Sequence, residues 1–240
     1  MSEEQDALEP PGIETAKELA RSAARGIVGA VPVAGPALSE FLGLLISAPV
    51  HRQVQDWREE VVRRLLALEE KIEGFNASTL QDRGDFAAAV MDAQSALVRS
   101  NSEEKREALA NAVVNVALER SPDEDRRQMF MSYISDLTSW HLRLLALLQD
   151  PPGASKRQGV DMSNISMGAI STMIERVYPE LRGQREFYDL LGRDLESRGL
   201  LSGAGFHVTM TGSGVMTKRS TTLGDEFIRF VTAPPELNHE

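Results

Sequence analysis

The chain has 240 residues with 42% hydrophobic content, enough to bury a core in one large domain or two small ones. Aromatic residues make up only 5%, so Leu, Val, Ile, Ala and Met must fill that core, which favours packed helices over a sheet sandwich. Absence of cysteine excludes disulfides, thiolate zinc sites and cysteine nucleophiles. The net charge of -10 leaves no general positive surface for nucleic acid, since residues 1–150 carry 16 Lys+Arg against 25 Asp+Glu.

Residues 1–12 are acidic and contain two prolines, unlike the basic and apolar regions of a secretory leader, and read as a disordered tail. Ile13 to Arg25 repeats Ala16, Leu19, Ala20 and Ala23 at helical spacing, with Lys17, Arg21 and Arg25 on another side. The segment 26–50, GIVGAVPVAGPALSEFLGLLISAPV, has Glu40 as its one charged residue. Pro32 and Pro36 predict a loop followed by a helix over about 37–47, with Leu38, Phe41, Leu42 and Leu45 on one side.

After Pro49, the residues Val50, Val54, Trp57, Val61, Leu65, Leu68 and Ile72 alternate steps of three and four and predict a long amphipathic helix closed by Gly74 and Asn76. Phe86, Val90, Ala93 and Leu97 mark the next helix. Asn101 with Glu104 suggests a capping box for a helix that turns Leu109, Val113 and Val116 inward. Ser121, Pro122 and Glu124 supply the start of another, with the stripe Phe130, Ile134, Leu137, His141, Leu144 and Leu148. Successive stripes with short links predict an antiparallel helical bundle over 13–149.

Asp150-Pro151-Pro152-Gly153 stops that run, and residues 150–162 read as a linker. A module over 163–235 follows: a helix from Ser163 or Asn164 to about Tyr178, and a second from Gln184 to Arg198 with Phe187, Leu191 and Leu195 inward and Gly199 closing it. Phe206 to Thr211 and Val215 to Ser220 predict a β-hairpin around Gly212-Ser213-Gly214, with the final helix starting at Thr221 or Thr222. The fold class expected is thus mainly α, with a winged-helix-like C-terminal module.

The tail LESRGLL, a strand pair and TTLGDEFIRFV resembles the helix, wing and T-x-L-G-x-x-F ending of winged-helix proteins. VPVAGPALSEFLGLLI, the helix from Arg52 to Ile72, NAVVNVALERSPDEDRRQMF and LTSWHLRLLALLQDP together resemble a group of largely uncharacterised bacterial proteins of the defence and accessory type. The resemblance implies an architecture and transfers no site residues.

No catalytic centre is expected. His51, His141, His207 and His239 are widely separated and lack metal-ligand spacing, and His141, within an apolar stripe, reads as a packed structural residue. Neither a P-loop nor a dinucleotide fingerprint is present, so no cofactor is expected. The carboxylates Glu69, Glu70 and Glu73, like Asp123, Glu124 and Asp125, fit solvent faces and helix starts.

Two surfaces remain. The segment 26–50 is too interrupted by Glu40 to span a bilayer constitutively, because a span takes about 20 apolar residues. It is still apolar enough for conditional contact with a membrane or a partner helix, through Val31, Leu38, Phe41, Leu42, Leu45 and Ile46, unless it is simply buried in the core. Lys218 and Arg219, at the wing, are the basic pair placed for a nucleic-acid contact, although the exposed side of the preceding helix alternates Arg185, Asp189, Arg193 and Glu196. These features predict a non-enzymatic, cytoplasmic effector or adaptor, peripheral at the inner face of the membrane, with a protein partner or a second copy of itself. The alternative is a winged-helix regulator whose bundle dimerises and whose DNA binding the charge disfavours.

Overall fold

A computed structural model describes residues 34–162, 166–203 and 205–237, with side chains described from residue 52 onward. The chain divides into two compact units, residues 1–53 and 54–240. The first helix, α1 (Ala34–Lys71), contributes to both. It runs without interruption through Pro49, where a break was expected after a short helix; residues 26–33 of the expected loop lie outside the described residues. Pro36 sits in its first turn, where no backbone donor is needed; Pro49 removes one internal hydrogen bond without ending the helix. Gly74, at φ 84°, supplies the left-handed turn after it.

In the unit 54–240, helix α2 (Gly84–Val98) packs on α3 (Glu103–Ala117), and both pack on α4 (Glu124–Asp136). Helix α5 (Ser139–Gln149) follows. Trp57, Val61, Leu65 and Leu68 bury the α1 stripe as its spacing predicts. Each large side chain of that stripe contributes roughly 1.5–3 kcal/mol by leaving water.

Helix α3 exceeds the expected inner face of Leu109, Val113 and Val116, since every residue from Ala108 to Ala117 is buried. Alanines at 108, 110, 112 and 117 let neighbouring helices approach on several sides. Its cap is Ser102, whose hydroxyl accepts from the Lys105 N–H at 3.2 Å, one residue beyond the expected Asn101. The cap of α4 is likewise Asp123, not Ser121, with its carboxylate accepting from the Arg126 N–H at 3.1 Å. The single helix expected from Phe130 through Leu148 is broken at Leu137 and Thr138 into α4 and α5, yet Phe130, Ile134, Leu137, Leu144 and Leu148 are all fully buried.

Residues expected as a linker include helix α6 (Pro151–Arg157), started by Asp150 as cap and by proline in its first turn. Pro151, Ala154 and Ser155 are buried, so this stretch is packed structure. Strand β1 (Met167–Gly168) then occupies residues expected to be helical, and α7 (Ile170–Val177) begins only after it. Ser163 and Asn164 lie outside the described residues.

Helix α8 (Arg185–Ser197) buries Leu191 and Leu195 as expected, but Tyr188 takes the inward place assigned to Phe187, which is exposed. Gly199 closes it at φ 72°. The expected hairpin does not form. Strand β2 (Met210–Thr211) pairs antiparallel with β1, and Gly212–Val215 forms a helical turn, α9, capped by the Thr211 hydroxyl. The cap satisfies the Gly214 N–H locally, where a hairpin would need it in a tight turn. A single bridge joins Leu201 to Ser220.

The last helix, α10 (Thr222–Val231), is capped by Thr221 and packs on α3 and α5. The described structure is mainly helical with one small antiparallel two-stranded sheet.

Candidate functional site

The six apolar contact residues cannot be followed as side chains. Val31 lies outside the described residues, and Leu38, Phe41, Leu42, Leu45 and Ile46 lie on α1, outside those whose side chains are described. Among the described residues, no helix is long and apolar enough to cross a membrane.

Lys218 and Arg219 are both engaged within the chain. Lys218 pairs with Asp225, which also accepts from the Ser220 hydroxyl at 2.6 Å. Arg219 is half-buried, and its guanidinium donates to the Gly214 carbonyl at 3.0 Å. Its backbone N–H donates to the Leu148 carbonyl at 2.7 Å, fixing this segment to the end of α5. Both residues therefore help hold residues 210–225 together, Lys218 through an ion pair and Arg219 through a hydrogen bond to a neutral carbonyl.

On α8, Asp189 joins Arg185 at 3.6 Å and the His207 Nε2 at 2.8 Å, while the Glu196 carboxylate accepts from the Gly203 N–H at 3.1 Å. The exposed face also carries Phe187 and Leu190. Beneath it, the Tyr188 hydroxyl donates to Glu175 at 3.0 Å. Burial, reinforced by that carboxylate, pushes the phenol up to about 12.

His141 is buried, as its place in the stripe implied. Its Nδ1 accepts from the Thr138 N–H at 3.1 Å, which puts the neutral ring's proton on Nε2, 3.2 Å from Asp194. Burial lowers its affinity for a second proton; Arg198 and Lys105 act in the same direction and Asp194 opposes them. Arg198 bridges Asp194 and Asp136 at 3.3 and 3.4 Å, and buried Lys105 donates to the Ser135 carbonyl at 2.6 Å. The network ties α3, α4, α5 and α8 together, and the Thr138 hydroxyl lies 2.9 Å from the His141 Nδ1. Among the described residues no group of His, Asp and Glu is placed to hold a metal.

Clefts open on the surface of the described residues. One of about 550 Å³ is lined by Pro152, Val160, Met162 and Met216 together with Ser155, Lys156 and Asp161. Another, about 410 Å³, lies between α1 and α3 and is lined by Asp56, Trp57, Glu60, Arg64, Glu103, Arg106, Glu107 and Ala110. The sequence reading missed this second cleft. Its signal was present as acids four apart on each helix, Asp56 with Glu60 and Glu103 with Glu107, but which helices adjoin is not a local property.

No protein-family model matches the chain, and comparison with curated proteins and with solved structures gives no match.

Proposed function

We propose that the protein is a non-enzymatic effector or adaptor that acts by contact, with its apolar segment 26–50 engaging a partner helix or a membrane surface. One observation carries this reading: the segment, with Glu40 as its one charge, belongs to a compact unit, residues 1–53, set apart from the unit 54–240, which has a buried hydrophobic core of its own. Trp57, Val61, Leu65 and Leu68 anchor the second half of α1 in that core. Helix α1 thus joins an apolar contact segment to a folded body. The resemblance to bacterial defence proteins fits such a role, in which contact follows a stimulus.

The test uses the full chain with anionic and neutral vesicles in flotation, alongside sedimentation to measure self-association. Phe41→Glu with Leu45→Glu is expected to abolish whichever association the native protein makes. A native protein that floats with no vesicle, remains monomeric and captures no partner that the double variant loses overturns the reading.

A second reading, a winged-helix DNA-binding regulator, is favoured by the order β1, α7, α8, the Leu201–Ser220 bridge and α10. The internal engagement of Lys218 and Arg219 weighs against it. Absence of binding to any duplex at low salt removes it.

A further inference from the structure

Trp57 is 1% exposed, and among the described residues its indole N–H has no hydrogen-bond acceptor. Such buried donors are rare, because leaving one unpaired forfeits its hydration without recompense. The Arg106 Nε–H, lining the same cleft between α1 and α3, is equally unpartnered. Two donors lacking acceptors in one cleft point to an occupant that supplies acceptors.

The cleft also states what else that occupant carries. Glu60 is held by Arg63 and Arg64, and Glu103 is paired with Arg106, but Asp56 and Glu107 enter no ion pair among the described residues. Free carboxylates at the rim disfavour a phosphate or another anion. The unpaired N–H donors disfavour a bare metal ion. A group presenting a carbonyl oxygen beside a positive charge satisfies both halves, and a peptide with a lysine or arginine side chain is such a group. At about 410 Å³ the cleft falls within the range of ligand sites, about 300–1,000 Å³. The acidic balance of residues 1–150 steers a cationic partner toward it.

We propose that this cleft binds a basic peptide segment of a partner protein, with the cationic side chain between Asp56 and Glu107 and a neighbouring backbone carbonyl accepting from Trp57. The indole nitrogen has no accessible surface, so binding requires a neighbouring side chain to move, and the Arg106–Glu103 pair lines the same cleft. That pair is only partly buried, with side chains 28% and 78% exposed, and such pairs open at little cost.

The test uses the full chain and the acetylated, amidated peptide Gly-Lys-Gly-Lys-Gly, with Glu replacing Lys in a control and spermine as a cation without a carbonyl. Saturable calorimetric binding of the lysine peptide is expected, together with a downfield shift of the Trp57 indole proton in NMR spectra. Asp56→Asn with Glu107→Gln, and separately Trp57→Phe, should each weaken binding roughly tenfold, the scale of one lost charge-assisted or buried hydrogen bond. The Asn and Gln changes are at exposed positions and keep the test valid even where Trp57→Phe unfolds the chain. No saturable binding, an unmoved indole resonance, or spermine binding as well as the peptide would overturn the proposal.

Discussion

The side-chain amide of Asn115 donates to the carbonyl oxygen of Phe230 at 3.0 Å, and the same nitrogen lies 3.3 Å from the Arg229 carbonyl and 3.0 Å from that of Thr232. One turn earlier on α3, Asn111 donates to the Val231 carbonyl at 3.0 Å. The last carbonyls of α10, which have no partner within their own helix, are thus capped from another helix. This relationship fixes the C-terminal helix onto the centre of the unit 54–240.

Asn115→Ala is therefore expected to destabilise the protein by about 2–3 kcal/mol, since the carbonyls stay buried while losing their donor. Urea unfolding measures the loss, and hydrogen exchange should quicken in α10 before the other helices. Asn115→Asp, which replaces the donor with an acceptor, should cost more. A change under about 0.5 kcal/mol for the alanine variant would refute the capping role.

Stability should rise with pH across the range governed by His141. Its folded-state affinity for protons lies below the ordinary value of 6.5, because burial favours the neutral ring. An unfolded chain therefore binds the proton more readily, so this contribution is complete above 6.5 and is lost as the pH falls through the folded-state value. Protonation would also place a hydrogen on Nδ1, where the Thr138 N–H now donates. His141→Gln keeps an acceptor for Thr138 and does not titrate, so its stability curve from pH 8 to 5 should be flatter than the native one. Parallel curves would count against this account.

Gly224→Ala should be among the most damaging small substitutions. A Cβ at this position would lie 2.2 Å from the Leu200 carbonyl oxygen, a backbone atom that cannot swing aside. The same oxygen accepts from the Thr221 N–H at 3.1 Å. We expect a loss toward the upper end of about 1–3 kcal/mol, read as a lower urea midpoint. Gly84→Ala, which meets nothing within 4 Å, is the matched control and should change stability little.

Arg219 and Lys218 should separate in their effects. Arg219→Ala removes the half-buried donor to the Gly214 carbonyl and is expected to cost about 1–2 kcal/mol. Lys218→Ala removes an exposed ion pair with Asp225 and should cost under about 1 kcal/mol. Equal losses of duplex affinity from both, with stability unchanged, would instead restore them as nucleic-acid contacts.

The amino-acid sequence determined the helical character and the buried stripes. The three-and-four spacing of Trp57, Val61, Leu65 and Leu68, and the buried position of His141, follow from periodicity within single helices, which neighbouring residues settle among themselves. Helix ends were legible only to within a residue or two, because Asn101 and Ser102, or Ser121 and Asp123, are all competent caps and the choice depends on where the following turn packs.

Tertiary structure decided the rest. Two-residue strands have no alternation to read, so the pairing of Met167–Gly168 with Met210–Thr211 could not be inferred from either segment, and the local cap at Thr211 displaced the expected hairpin. Contacts also cross the division expected near residue 150, with Asn115 reaching α10 and Leu148 accepting from Arg219. The cleft holding Trp57 exists only because α1 lies beside α3. Periodicity records which face of an element is apolar; which element covers that face is settled by the packing of distant residues, and that left the unpaired indole and the trans-capped helix invisible until the chain was folded.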